Sequence, residues 1–164
     1  MKRNLLKFVS MATLVISCSA QADWAAQVED DIFSGGKQAM LLGTIADANG
    51  VTFDCTHDTL SMAYIEKGSL SSESSVPVTM IVKVDNNAPV RFEGAFSKRN
   101  EEYLQASTSV GDIKKVLSQL KQAKSKMLVG LSFDAVNKKM SFTADVEGST
   151  KAVNEFAKAC ELNI

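Results

Sequence analysis

The stretch KQAMLLGTIADANGVTFDCT, residues 37–56, decides the fold. Gln38 to Ala46 is apolar and β-compatible, and Asn49-Gly50 is the strongest short hairpin signal a sequence offers, so 37–47 and 51–56 are expected to pair antiparallel. In the second arm Val51, Phe53 and Cys55 fall on one face, and Thr52, Asp54 and Thr56 on the other. That is the two-residue period of a half-buried strand, and it turns Cys55 into the core. Working outward, Trp24 to Glu29 reads as a first strand, followed by an acidic turn at Asp30-Asp31 and by Ser34-Gly35-Gly36. Leu60, Met62 and Tyr64 continue the alternation before a serine-rich loop from Gly68 to Ser75. Val78, Met80, Val82 and Val84, the turn Asp85-Asn86-Asn87, and Val90 with Phe92 make a second hairpin, and Tyr103 to Ser107 one more short strand.

The period then changes. Ile113, Val116, Leu117 and Leu120 follow i, i+3, i+4, i+7 spacing, with Ser109 and Asp112 placed as a capping pair, which predicts an amphipathic helix over 110–124. Strand spacing returns at Met127, Val129, Leu131 and Phe133 and again from Met140 to Val146, joined through Asn137-Lys138 as a third hairpin. Gly148-Ser149 then opens a last helix with the stripe Val153, Phe156, Ala157 and Cys160. Strands and helices do not alternate regularly, which excludes a doubly wound parallel sheet. The expected class is α+β, a mainly antiparallel, sandwich-like sheet of about seven strands with two helices, the second at the C-terminus. No internal repeat divides the chain.

Residues 1–22 stand apart from this domain. Lys2, Arg3 and Lys7 form a positive start, Phe8 to Ile16 an apolar core too short to span a bilayer, and Ala20-Gln21-Ala22 a small-x-small cleavage site. The expectation is a signal peptide at 1–22 and a single exported globular domain at 23–164, periplasmic or secreted. Val15-Ile16-Ser17-Cys18 gives a competing route, in which Cys18 is lipidated and anchors the chain to a membrane. The whole sequence has 164 residues, 45% hydrophobic and 23% charged, with net charge −1; without 1–22, the remaining 142 residues carry 15 basic and 19 acidic side chains, net −4. Such a balance lacks the electrostatic footprint of a nucleic-acid binder.

Removing Cys18 leaves two cysteines, Cys55 and Cys160. One lies on the apolar face of a strand and the other on the apolar stripe of the last helix, so both face the layer between helix and sheet. In an oxidising compartment that arrangement predicts a disulfide. Closing a loop of 105 residues stabilises a fold by about 4–5 kcal/mol on the chain-entropy model. The alternative is a catalytic Cys55 activated by His57, two residues on, but i and i+2 neighbours on a strand sit about 6.5–7 Å apart, too far for the hydrogen bond such chemistry needs.

Other chemistry is sparse. A single histidine, and no H-E-x-x-H or C-x-x-C spacing, leave no metal site, and no G-x-S-x-G elbow, phosphate loop or dinucleotide fingerprint occurs, so no cofactor and no catalytic set is expected. Carboxylates cluster at Glu29-Asp30-Asp31 and Glu101-Glu102, both at turns; either could supply an acid/base pair, and the first is the set a hydrolase reading would use. Lys114, Lys115, Lys121, Lys124 and Lys126 lie against Asp112 alone, a basic surface that could meet anionic lipid or polymer in a peripheral membrane contact, whereas residues 23–34 carry four acids and no base. Lys98-Arg99 falls in a separate loop.

A Trp near the mature N-terminus, a strand ending in Cys, the Tyr103 region followed by a helix, the F-x-x-x-V-x-G stretch from Phe142 to Gly148, and a final helix ending in Ala-Cys together form a layout. It resembles small exported bacterial proteins of the type VI secretion accessory and invasion-associated locus B kind. That resemblance implies a β-sandwich-like fold with a strand-to-C-terminus disulfide through Cys55 and Cys160, and a periplasmic accessory or binding role; it carries over no catalytic residue. The export signal, the stapled small domain and the lack of a catalytic set lead to the expectation of a non-enzymatic protein that binds another envelope or secreted protein, as an inhibitor or immunity-type factor would.

Overall fold

The computed structural model describes residues 23–70 and 74–164. The expected signal peptide over 1–22, with its expected cleavage site and Cys18, lies outside the described residues. In chain order the elements are β1 (Trp24–Asp31), β2 (Gly36–Ala46), β3 (Asn49–Cys55), β4 (Leu60–Lys67), β5 (Val76–Val84), β6 (Val90–Lys98), β7 (Tyr103–Thr108), α1 (Ile113–Lys121), β8 (Lys126–Phe133), a 3-10 turn (Asp134–Val136), β9 (Lys138–Asp145) and α2 (Ser149–Ala159). The strands form one sheet in the order β1-β2-β3-β4-β7-β6-β5-β8-β9, antiparallel at every step. The class is α+β as expected, with nine strands in place of about seven.

Two local expectations are corrected. The β2–β3 hairpin turns at Asp47-Ala48, and Asn49-Gly50 already belongs to β3, with Ala46 opposite Asn49 and a register shift between Thr44 and Ala46. Gly50 is needed for a close approach instead: a Cβ there would sit 2.7 Å from the Gly43 carbonyl oxygen. Asn49 spends its amide on the Tyr64 hydroxyl at 3.2 Å. The first helix is also shorter than 110–124, and neither Ser109 nor Asp112 caps it through a side chain. Gly111, at φ 89°, turns the chain sharply just before it.

The even-odd alternation explains the layers. Leu41, Phe53, Met62, Met80, Phe92 and Val129 are buried on the concave side of the sheet, where α1 contributes Val116, Leu117 and Leu120 and α2 contributes Val153 and Phe156. The helices thus fill the hollow of a curled sheet. They are joined to each other through hydroxyls at the start of α2: Ser149 donates to the Leu120 carbonyl at 3.0 Å and Thr150 to that of Lys121 at 2.8 Å. The Thr150 bond satisfies a carbonyl at the end of α1, and the Ser149 bond adds to the Ala123 amide that the Leu120 carbonyl already accepts at 3.2 Å. The curl brings β9 back over β2, and the Phe142 ring stacks on Tyr64 of β4 with centroids 4.5 Å apart.

Candidate functional site

The most exposed large apolar side chains lie together at one point, the tip of the β1–β2 hairpin. Ile32 is 84% and Phe33 96% exposed. Burial of either ring or chain against a partner would remove apolar surface from water at about 25 cal/mol per Å². The tip is not loose coil. Asp31 accepts the Phe33 amide at 3.0 Å and the Ser34 hydroxyl at 2.6 Å, its carbonyl accepts the Gly35 amide at 2.9 Å, and Ser34 accepts the Gly36 amide at 3.3 Å. Gly35, at φ 74°, supplies the left-handed step that closes the turn. The Ser34 hydroxyl, then the Phe33 amide, hold the Asp31 carboxyl below its ordinary range. A short, satisfied turn therefore presents two apolar side chains outward.

Its surroundings are acidic. Asp30 pairs with Lys37, and Glu29 accepts from Gln27 at 2.7 Å and from Gln38 at 3.3 Å. The three carboxylates proposed as an acid/base set alternate across the two faces of β1, and each is engaged by a different partner within the hairpin. The β3–β4 loop lies close by. There His57 meets Asp58 at 2.7 Å, and that hydrogen bond, followed by the Asp58 charge, raises the imidazole pKa, with smaller contributions from Glu161 and Asp31. Glu101, of the second acidic pair, bonds Lys98 at 2.6 Å in the β6–β7 loop.

Cys55 and Cys160 are disulfide-bonded, with their Cα atoms 6.1 Å apart. Cys55 ends β3 and Cys160 caps the C-terminus of α2, so the bridge fixes the last helix to the strand next to the hairpin that carries the tip. Joined to Cys160, Cys55 is no thiolate, and His57 is exposed in the loop beyond it.

The five lysines lie on α1 and on the loop and strand that follow it. Lys114 and Lys115 are exposed on α1, Lys121 donates to the Ile164 carbonyl at 2.9 Å, and Lys124 and Lys126 belong to the loop and strand that follow. Asp85 organises that loop by accepting the main-chain amides of Lys124, Ser125 and Lys126 at 2.8–2.9 Å.

Opposite the helices, the convex sheet face carries a half-buried ion pair. Arg99 folds back from the β6–β7 loop to reach Asp54 at 2.9 Å and Gln105 at 3.1 Å, roofing Thr52. Sequence reasoning missed both this strap and the tip. For the tip the available signal was two large apolar residues inside a segment otherwise made of Asp, Ser and Gly.

Among the described residues no group of three or more His, Cys, Asp or Glu is placed to hold a metal, and no helix is long and apolar enough to cross a membrane. The chain matches no protein-family model, no curated protein and no solved structure.

Proposed function

We propose that the chain is an exported, non-enzymatic binding or accessory protein of the bacterial envelope, which docks on another protein through the β1–β2 tip. The observation that carries this is the near-complete exposure of Ile32 and Phe33 on a turn held by hydrogen bonds from the Phe33, Gly35 and Gly36 amides. Exposed apolar anchors on a rigid element lose little conformational entropy on binding, which is how small hot spots gain affinity. The acids at the base of the tip favour a partner whose apolar pocket has a basic rim, and disfavour an anionic lipid surface. The disulfide accords with an oxidising compartment. An inhibitor or immunity-type factor would use such an anchor to occlude its target.

A photo-crosslinking residue at position 33, installed in the producing cell, tests this. A single stoichiometric adduct that wild-type protein competes away, and that Ile32→Asp abolishes, is the expected result; absence of any adduct overturns it. A second reading rests on Lys114 and Lys115, which form no ion pair among the described residues. Flotation with anionic liposomes that is lost at high salt and in Lys114→Glu/Lys115→Glu would favour that surface instead.

A further inference from the structure

The sheet has two ends, and they differ. At one, β1 has α2 lying against it and bears the acidic residues at the base of the tip. At the other, β9 pairs only with β8, in unbroken register from Phe133 opposite Lys138 to Lys126 opposite Asp145. Proteins usually block such an edge with a proline, a bulge, a charge turned inward or lysines along it. From Lys139 to Asp145, β9 has no proline, no bulge and no inward charge, its inward residues being Met140, Phe142 and Ala144, and Lys139 is the one lysine of that stretch.

Its outward residues, Lys139, Ser141, Thr143 and Asp145, are exposed, and among the described residues none of these four side chains has a hydrogen bond or ion pair. Their order is self-complementary. When the strand is laid antiparallel to a copy of itself about Phe142, each Lys139 faces an Asp145 and each Ser141 a Thr143. On the other face Met140 meets Ala144, and Phe142 meets its own copy. Directly opposed charge pairs and hydroxyl pairs are the contacts that stabilise antiparallel strands, and a two-fold axis makes each occur twice.

We propose that β9 is the self-association edge of this protein, pairing with β9 of a second copy so that two nine-stranded sheets run on as one. The occupant is a second copy because the charge pattern matches itself end to end. Trp24 holds the Asp145 carbonyl, so the shared main-chain ladder spans residues 141–143, and the Lys139 and Asp145 side chains meet just beyond each of its ends.

Sedimentation of the purified protein over a concentration series reads the association. The wild type is expected to form a dimer that weakens with salt. Lys139→Glu alone, or Asp145→Lys alone, places like charges together at both ends and should raise the dimer dissociation constant by about tenfold or more. An equimolar mixture of the two variants sets acid against base at every end contact and should restore the dimer, which a misfolded variant could not do. A wild type that stays monomeric throughout, reversals without effect, or a mixture that stays apart would each overturn the proposal.

Discussion

The indole N–H of Trp24 donates to the carbonyl of Asp145 at 2.6 Å, across 121 residues of chain. This bond ties the first residue of β1 to the last of β9 and so marks where the curled sheet comes together. The same ring lies 6.5 Å from Phe53 and is buried.

Trp24→Phe keeps the aromatic bulk and strands that carbonyl, so it should cost about 1–2 kcal/mol, whereas Trp24→Ala should cost about 3–5 kcal/mol. Chemical denaturation followed by circular dichroism measures both. In the wild type, emission from the single tryptophan should be blue-shifted and move to the red in the same transition.

Gly43 pairs with Trp24 across β1 and β2, and a Cβ there would meet three indole carbons at 2.4–2.5 Å. Gly43→Ala must therefore displace the ring, and is expected to destabilise by about 1–3 kcal/mol and to red-shift native emission. In a Trp24→Ala background the same change should cost much less. Equal costs in the two backgrounds would show that the indole is not what the methyl meets.

The hydrogen bonds from the amides of Lys126, Lys124 and Ser125 hold the Asp85 carboxyl below its ordinary range. A depressed carboxylate contributes fully above the ordinary range, and that contribution is lost as pH falls through the folded value. Asp85→Asn should therefore lower stability at neutral pH and flatten the acid side of the stability profile. Stability measured between neutral pH and about pH 2 is the check.

Cys55→Ala and Cys160→Ala should each remove the same cross-link, costing up to about 4–5 kcal/mol by the chain-entropy model. Their losses should be similar, and the double variant little worse than either single one. Two titratable thiols in protein taken from its native compartment would contradict the bridge.

The hydroxyl of Tyr64 is raised to about 12, first by burial and then by the charge of Glu66, against the bond from Asn49, which lowers it. Alkaline spectrophotometric titration should show one tyrosine, Tyr64, ionising late. Tyr64→Phe should leave that late step absent.

Much of the fold was legible because burial is periodic. Val51, Phe53 and Cys55, or Met127, Val129, Leu131 and Phe133, alternate so regularly that face and core follow from spacing alone. The disulfide followed from the same logic applied to a strand and a helix stripe. The β2–β3 turn did not, because Asn49-Gly50 serves two purposes at once: tertiary contacts with Gly43 and Tyr64 claim a dipeptide that local propensity assigns to a turn. The order β4-β7-β6-β5-β8 also stays hidden, since no local pattern records which distant strand a strand will meet. At the tip, Ile32 and Phe33 have no period to betray them. Their meaning lies in exposure, which only the folded chain reveals.

Because α2 rests on β1 and β2, and Cys160 joins Cys55, the end of this chain must find its beginning. Six of the eight strand pairings join consecutive strands, but β4 with β7, β5 with β8 and the docking of α2 link distant stretches. Such non-local contacts are expected to make folding slower than that of a helical bundle of equal length. During that interval the concave face stands open and β1–β4 lack the helices that cover them. The nascent chain is then the aggregation-prone species, and a folding catalyst or holdase in the compartment would act on it before α2 is made fast.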